Sequence, residues 1–148
     1  MQQKTLVIAF GNPLRRDDGV GYRAAPLLSD ALADDAATVI FRQQLTEDLA
    51  VAVGEADRVI FIDAEIASPP GAVSIRRLAP ADLLSNALLH RMTPADLLAW
   101  TKVIRGRVPR SEQVTVAGVD FDFGDTLTPP VEAALPALVE AVKHLCQP

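Results

Sequence analysis

Short runs of apolar residues alternate along the chain with longer segments in which apolar residues recur every three or four positions. The short runs predict β-strands, and the longer periodic segments predict amphipathic helices. The predicted strands are Thr5–Phe10, Val39–Phe41, Arg58–Asp63, Val73–Arg76 and Val114–Val119. The predicted helices cover approximately residues 18–33, 46–54, 80–88, 94–104 and 129–146.

This alternation predicts an α/β protein with three layers. Strands that are apolar along their whole length are typical of a mostly parallel sheet covered on both faces, so we expect a five-stranded twisted sheet between helices. The alternating pattern of Val73–Arg76 favours an edge strand with one face in solvent. In such sheets, functional residues collect at the carboxyl ends of strands, near a reversal of strand order.

Composition narrows the classes of function. The chain has 148 residues without repeats or linker-like segments, so we expect a single domain over residues 1–148. A formal net charge of −5 argues against a nucleic-acid-binding protein, and one cysteine excludes an internal disulfide and a cysteine-rich zinc site. No apolar run is long enough for a signal peptide or a membrane span. We therefore expect a cytoplasmic protein that does not contact membranes.

The loop after the first predicted strand carries much of the candidate chemistry. Residues 11–21 read Gly-Asn-Pro-Leu-Arg-Arg-Asp-Asp-Gly-Val-Gly. The glycine spacing matches neither common phosphate-binding loop, and the charges of Asp17 and Asp18 at a helix start would repel a phosphate. One interpretation is that either aspartate only caps the helix that follows. The other interpretation is that the loop supplies a metal ligand. Both can hold if Asp17 caps the helix and Asp18 is free to coordinate a metal.

Two further residues occupy positions where sites form. Asp63 ends the third predicted strand, so we expect its carboxylate to point into the crevice, with Glu65 as a weaker candidate beside it. His90 lies in the loop before the helix predicted over residues 94–104. Asp18, Asp63 and His90 offer two oxygens and one nitrogen, a mixed set that suits divalent nickel, zinc or cobalt. Taken alone, each has a purely structural alternative, such as a turn, a cap or an exposed position.

The order of these motifs resembles that of the hydrogenase maturation proteases, the endopeptidases that finish the large subunit of nickel–iron hydrogenases. The resemblance covers nearly the whole chain. Its most specific part is the opening motif Gly-Asn-x-Leu-x-x-Asp-(Asp/Glu)-Gly-x-Gly, which residues 11–21 match. The other matching segments are Asp63-Ala64, His90 ahead of Ala95–Leu98, Ala117–Val119 and Leu127–Glu132.

The resemblance implies that Asp18, Asp63 and His90 are the catalytic and metal-interacting residues of a monomeric enzyme. It implies that the partner is a hydrogenase large-subunit precursor. The metal would be nickel carried by that substrate, for which another divalent ion such as zinc or cadmium could stand in a crystal, and no organic cofactor is expected. The nickel would serve as a recognition handle while a C-terminal extension is removed. Whether the metal also takes part in the chemistry, and what attacks the peptide bond, stay open.

Two features depart from the pattern of many family members. Asp18 stands where many have glutamate, and the segment Arg42-Gln43-Gln44 replaces an Asp-Gly-Gly-Thr-like turn, so a contact made by that turn cannot be transferred to this chain. The glutamine-rich segment resembles the branch that serves cytoplasmic NAD-reducing hydrogenases.

Two other classes of protein share parts of the pattern. A receiver-like phospho-acceptor domain carries paired acids after the first strand, but here Asp17 and Asp18 follow Phe10 by seven and eight residues. A receiver also needs a lysine after the last strand, where this chain has Asp120-Phe121-Asp122. A small Rossmann-like ligand-binding module is the other alternative, and the acids at the phosphate position weigh against it.

Overall fold

A five-stranded sheet forms the centre of the structure, a computed structural model that describes residues 3–82 and 91–147. The strand order is β2-β1-β3-β5-β4, in which β4 pairs antiparallel with β5 and every other pair is parallel. The predicted edge strand is confirmed. The strands are β1 (Thr5–Phe10), β2 (Ala37–Arg42), β3 (Arg58–Ile66), β4 (Val73–Arg77) and β5 (Arg110–Gly118).

Four α-helices lie in the part of the chain that the structure describes. They are α1 (Val20–Ala31), α2 (Ala50–Glu55), α3 (Pro94–Arg105) and α4 (Pro129–Cys146). Short 3₁₀ helices, Arg16–Gly19 and Glu47–Leu49, precede α1 and α2. None of the helices within the described ranges is both long and apolar enough to cross a membrane.

Helices cover the sheet on both faces, which confirms the predicted three-layer α/β fold. Because successive side chains of a strand point to opposite faces, the central strands β1 and β3 contribute to two apolar cores. Val7, Ile60 and Val114 pack in one core with residues of α1 and α4. Ile8 and Phe61 pack in the other core with residues of α2 and α3.

Two strands are longer than their apolar runs predict. β3 continues beyond Asp63 to Ile66 because it pairs with β5 as far as Gly118. β5 begins at Arg110 rather than Val114, since polar residues at its start are buried and hydrogen-bonded within the sheet. Tertiary pairing therefore extends both strands through residues whose side chains are not apolar.

Two helices also differ from their predictions. The helix predicted over residues 18–33 begins only at Val20, because the chain first forms a 3₁₀ turn. The helix predicted over residues 80–88 is absent at residues 80–82, and the rest of that prediction lies outside the described residues. α4, by contrast, spans the predicted residues 129–146.

The strand order reverses between β1 and β3. The chain passes from β1 to β2 on one side and then crosses to β3 on the other side of β1. Such a reversal opens a crevice at the carboxyl ends of the two central strands, where open α/β sheets bind ligands. The register pairs Ala9 with Ile62, so Phe10, the last residue of β1, lies beside Asp63.

Asp17 ties the loop after β1 to the other side of this crevice. Its side chain is fully buried, and its carboxylate accepts hydrogen bonds from the backbone N–H groups of Val119 at 2.8 Å, Asp120 at 3.1 Å and Thr128 at 2.8 Å. The Thr128 hydroxyl also lies within 3.0 Å of both carboxylate oxygens. No side chain caps α1, so the interpretation of Asp17 as a helix cap is wrong. The carboxylate instead joins the turn after β5 to the start of α4.

These hydrogen bonds keep Asp17 charged. Burial alone would raise the pKa of its carboxyl, but the bonds from Thr128, Val119 and Asp120 outweigh burial and hold the pKa below its ordinary value. The negative charge is therefore buried and fully satisfied by donors from two distant segments.

Replacing Asp17 with asparagine is expected to lower the free energy of unfolding by about 3 kcal/mol at neutral pH, because the charge-assisted bonds are lost and the new amide group faces donors. Asp18→Asn is the matched control, since Asp18 is partly exposed and accepts one bond from the Asn12 N–H; we expect a change within about 1 kcal/mol. Urea denaturation measures both.

The loss of stability in Asp17→Asn should also depend on pH. A lowered pKa contributes stability that is present above the unfolded value of 3.8 and is lost as the pH falls through the folded-state pKa. The difference in the free energy of unfolding between wild type and Asp17→Asn should therefore become smaller in strong acid. Equal losses of unfolding free energy in Asp17→Asn and Asp18→Asn would contradict the proposal that the Asp17 carboxylate joins the turn after β5 to the start of α4.

Candidate active site

Asp18 and Asp63 line one cavity at the carboxyl ends of β1 and β3. The cavity has a volume of about 350 Å³ and lies at the reversal of strand order. The structure thus brings together two of the three residues selected from the sequence. The remaining lining residues are Phe10, Gly11, Gln43, Gln44, Leu45, Arg76, Arg91, Met92, Thr93, Pro94 and Gln113.

The backbone of the loop after β1 holds Asp18 in place. Its Oδ2 accepts a hydrogen bond of 2.8 Å from the Asn12 N–H, and its own N–H donates to the Arg15 carbonyl at 3.0 Å. Gly11 has a φ of +138°, and a Cβ there would lie 2.1 Å from the Asp18 carbonyl oxygen. Only glycine allows the two ends of the loop to approach so closely.

Asp63 is the carboxyl group of the cavity whose pKa is raised. Burial raises the pKa of its carboxyl to about 7, and the charges of Asp18 and Glu65 act in the same direction. A hydrogen bond of 2.8 Å from the Ala64 N–H to Oδ1 opposes the rise. A carboxyl group with this pKa can both take up and release a proton near neutral pH, which is what general acid–base chemistry requires.

Glu65, the weaker candidate, makes contacts beside the cavity. Its Oε1 accepts a hydrogen bond of 2.8 Å from the Thr115 hydroxyl, and its Oε2 lies 3.5 Å from Arg76 Nη2. Arg76 also donates to Gln113 Oε1 from two nitrogens, at 3.3 and 3.4 Å. An arginine has only donors, so this contact fixes the amide of Gln113 with its oxygen toward Arg76.

Sequence reasoning missed Gln113 and Arg76 as residues of the site. Gln113 precedes the apolar run that predicts the last strand, and Arg76 is a polar position in the alternating pattern of an edge strand. The signal for both was available only from the register, which pairs Arg76 with Gln113 on neighbouring strands.

The segment after β2, whose role the sequence left open, contributes to the same cavity. Gln43, Gln44 and Leu45 all line it. Just beyond the carboxyl end of β2, this chain therefore presents two amide side chains to the cavity.

His90, the third predicted site residue, lies outside the described residues, so its place in the site stays a prediction. Within residues 3–82 and 91–147, no three histidine, cysteine, aspartate or glutamate side chains are grouped to hold a metal ion. The part of the predicted ligand set that the structure describes consists of the carboxylates of Asp18 and Asp63.

The close approach at Gly11 gives a direct test of the loop. Gly11→Ala is expected to lower the free energy of unfolding by more than about 3 kcal/mol, since the added methyl group meets backbone in a conformation that L-residues avoid. Gly106→Ala is the matched control: Gly106 also has a positive φ, +75°, but no atom lies within 4 Å of an added Cβ. We expect it to cost about 1 kcal/mol. Thermal unfolding compares the two variants. Equal losses of stability would contradict the close approach of the backbone at Gly11.

The raised pKa of Asp63 predicts that the site destabilises the folded protein at neutral and alkaline pH. Below pH 3.8 the carboxyl group is protonated in both states; between 3.8 and about 7 the unfolded chain ionises first, so stability falls as the pH rises. Asp63→Asn stays neutral and keeps an acceptor for the Ala64 N–H. In EDTA-treated protein, the variant should be more stable than wild type at about pH 8 and nearly equal to it at about pH 4.

Urea denaturation at both pH values measures this difference between wild type and Asp63→Asn. A difference that is the same at pH 4 and pH 8 would contradict the raised pKa.

Several solved structures of hydrogenase maturation enzymes share this fold. A hydrogenase 2 maturation peptidase from a Thaumarchaeota archaeon is 29% identical with a TM-score of 0.72, and 97% of each chain is covered. The hydrogenase maturating endopeptidase HYBD from E. coli is 25% identical with a TM-score of 0.73, covering 96% of this chain and 91% of that one. The NiFe hydrogenase maturation protease HybD from Thermococcus kodakarensis, 22% identical, has a TM-score of 0.74 over 97% and 99% of the two chains.

No protein-family model matches the chain, and no curated protein matches it in sequence. The assignment therefore depends on the solved structures together with the motifs of residues 11–21 and Asp63-Ala64. The chain is therefore similar over nearly its whole length to two hydrogenase maturation enzymes, at 25 and 29% identity, and these belong to the family that its motifs resemble.

Proposed function

We propose that the protein is an endopeptidase that removes a C-terminal extension from the large-subunit precursor of a nickel–iron hydrogenase. The observation that carries this proposal is the meeting of Asp18 and Asp63 in one cavity, in a fold shared with two hydrogenase maturation peptidases that are 25 and 29% identical. The enzyme acts as a monomer in the cytoplasm in this proposal, and the precursor is its protein partner.

Asp63 supplies the proton transfers of the proposed reaction. With a pKa of about 7, its carboxylate form can take a proton from the attacking water, and its acid form can give that proton to the leaving amine nitrogen. The charge of Asp18 in the same cavity helps to keep the pKa of Asp63 in this range. Water becomes the hydroxyl of the new carboxyl group, and the released extension keeps the free amine.

Gln113 is the proposed donor to the carbonyl oxygen of the scissile peptide. The register pairs Gln113 with Phe61 and Thr115 with Asp63, so Gln113 and Asp63 are diagonal neighbours on the same face of the sheet. Arg76 holds the oxygen of the Gln113 amide, which leaves the amide NH₂ group as a donor for the cavity. A fixed donor at a carbonyl stabilises the negative charge that develops on its oxygen during attack.

Nickel bound to the precursor is the recognition handle in this proposal. Asp18 and Asp63 offer carboxylate oxygens in one cavity, and the proposed nickel contact uses one oxygen of Asp63 and leaves the other for the proton transfers. The His90 imidazole is the proposed third contact, and a mixed set of carboxylate and imidazole groups suits nickel.

The proposal is tested by incubating the protein with nickel-loaded and nickel-free large-subunit precursor from the same organism and measuring loss of the C-terminal peptide by mass spectrometry. We expect cleavage of the nickel-loaded precursor alone. Asp63→Asn should lower kcat by about 100-fold or more, because the proton-transfer group is lost. Asp57→Asn is the matched control: Asp57 is exposed just before β3, at the opposite end of that strand, and accepts one bond from the Lys4 N–H that an asparagine retains.

The outcomes separate the parts of the proposal. Equal cleavage of nickel-free and nickel-loaded precursor would overturn the recognition by nickel. Unchanged cleavage by Asp63→Asn would overturn the proposed catalytic group, and unchanged cleavage by His90→Ala would remove His90 from the site. No cleavage by the wild-type protein would contradict the proposed function itself.

A further inference from the structure

A second cavity adjoins the first one on the far side of Asp18. It has a volume of about 290 Å³ and is lined by Asn12, Arg15, Asp18, Arg91 and Phe121. Asp18 and Arg91 line both cavities, so the two spaces meet at these residues. An extended peptide that crosses Asp18 would therefore place neighbouring residues in both.

The structure separates the roles of the adjacent arginines Arg15 and Arg16. Arg16 is engaged within the fold: its Nη1 lies 3.1 Å from Asp120 Oδ2, and its Nε donates to the Thr126 carbonyl. Arg15 instead lies with its guanidinium carbon 4.2 Å above the centre of the Phe123 ring. No carboxylate of the described residues forms an ion pair with Arg15.

Stacking on an aromatic ring uses the face of a guanidinium group and leaves its N–H donors at the edges. Those edge donors match the two oxygens of a carboxylate, which arginine binds in a bidentate geometry. Arg15 is therefore held in position and keeps the donors that recognise an anion.

Backbone hydrogen bonds fix Arg15 and Phe123 relative to each other. The Arg16 N–H donates to the Gly124 carbonyl, and the Gly124 N–H donates to the Leu14 carbonyl, both at 2.9 Å. The stack is thus built on two joined segments, and a ligand that binds there does not have to order it.

Two exposed apolar side chains lie next to Arg15. Phe123, on which Arg15 stacks, is 80% exposed, and its chain neighbour Leu14 is 61% exposed, although both belong to segments held by the backbone pairing. Beside these side chains lies the guanidinium group of Arg15, which forms no ion pair with a carboxylate of the described residues. Exposed apolar side chains beside this positive charge fit a peptide that carries both apolar and acidic groups.

We propose that this second cavity, between Arg15 and Arg91, is a subsite that binds a carboxylate of the substrate peptide, either an acidic side chain or the C-terminal carboxylate. As a subsite for the substrate it rests on the proposed function, but carboxylate binding by the cavity can be measured independently of cleavage. Arg15 acts in recognition and takes no part in the proton transfers assigned to Asp63.

Binding is tested by nuclear magnetic resonance titration of the full-length, ¹⁵N-labelled protein with two pairs of synthetic peptides. The first pair is acetyl-Ala-Leu-Glu-Leu-Ala-amide and its glutamine analogue, and the second is acetyl-Ala-Leu-Leu-Ala with a free or an amidated C-terminus. We expect the carboxylate member of one pair to bind about tenfold more tightly and to shift the signals of Asn12 and Arg15. The pair that discriminates identifies the source of the carboxylate.

Arg15→Gln should abolish this discrimination, because it removes the charge and the fork of donors. Arg23→Gln is the matched control, since Arg23 pairs with Glu132 at 2.7 Å and does not line the second cavity. Arg15→Lys should restore part of the affinity through its charge alone. With the nickel-loaded precursor, Arg15→Gln should raise KM about tenfold and leave kcat within about twofold, whereas a merely structural defect would lower kcat as well.

Different outcomes would overturn the subsite and the proposed function. If wild type cleaves the precursor but neither peptide pair is discriminated, or if Arg15→Gln discriminates as wild type does, the subsite is overturned and the function stands. If wild type cleaves no precursor but carboxylate peptides bind through Arg15, the subsite stands and the function is overturned.

Discussion

The buried carboxylate of Asp17 is the contact on which the arrangement of the site depends. Three backbone N–H groups and one hydroxyl, from the turn after β5 and from the start of α4, converge on its two oxygens. Separating these segments would leave a buried charge without its hydrogen-bond donors, which is energetically unfavourable. The carboxylate therefore stabilises their relative arrangement. Asp18 follows directly in the chain, so the same contact fixes the position from which its carboxylate reaches the cavity.

The cavity itself follows from a difference in strand length. β1 ends at Phe10, whereas β3 continues to Ile66 along β5, so Asp63 lies where the pairing with β1 stops. A carboxyl group at this step is largely removed from water and close to a second carboxylate, which together raise its pKa. The site is therefore a place where folding stability is reduced at neutral pH, as expected where groups are positioned for chemistry rather than for stability.

Particular elements show how far the sequence could be interpreted. β1 and α4 have the predicted boundaries because their patterns are strong and their ends carry clear signals, such as Gly11 after β1 and Pro129 at the start of α4. The end of β3 could not be predicted, since its last residues are kept in the strand by β5 and not by their own pattern. Asp17 was misinterpreted as a cap because a helix cap and a long-range clamp place the same residue type at the same position in the sequence.

The sequence by itself determined the layers of the fold and the selection of Asp18 and Asp63, because periodicity and strand-end position are local properties of the chain. The tertiary structure decided which groups surround those carboxylates. Gln113, Arg76 and the Arg15–Phe123 stack come from segments far from Asp18 or Asp63 in sequence, and only strand register and backbone pairing bring them together. The raised pKa of Asp63 is likewise a property of burial and neighbouring charge, which no single stretch of sequence encodes.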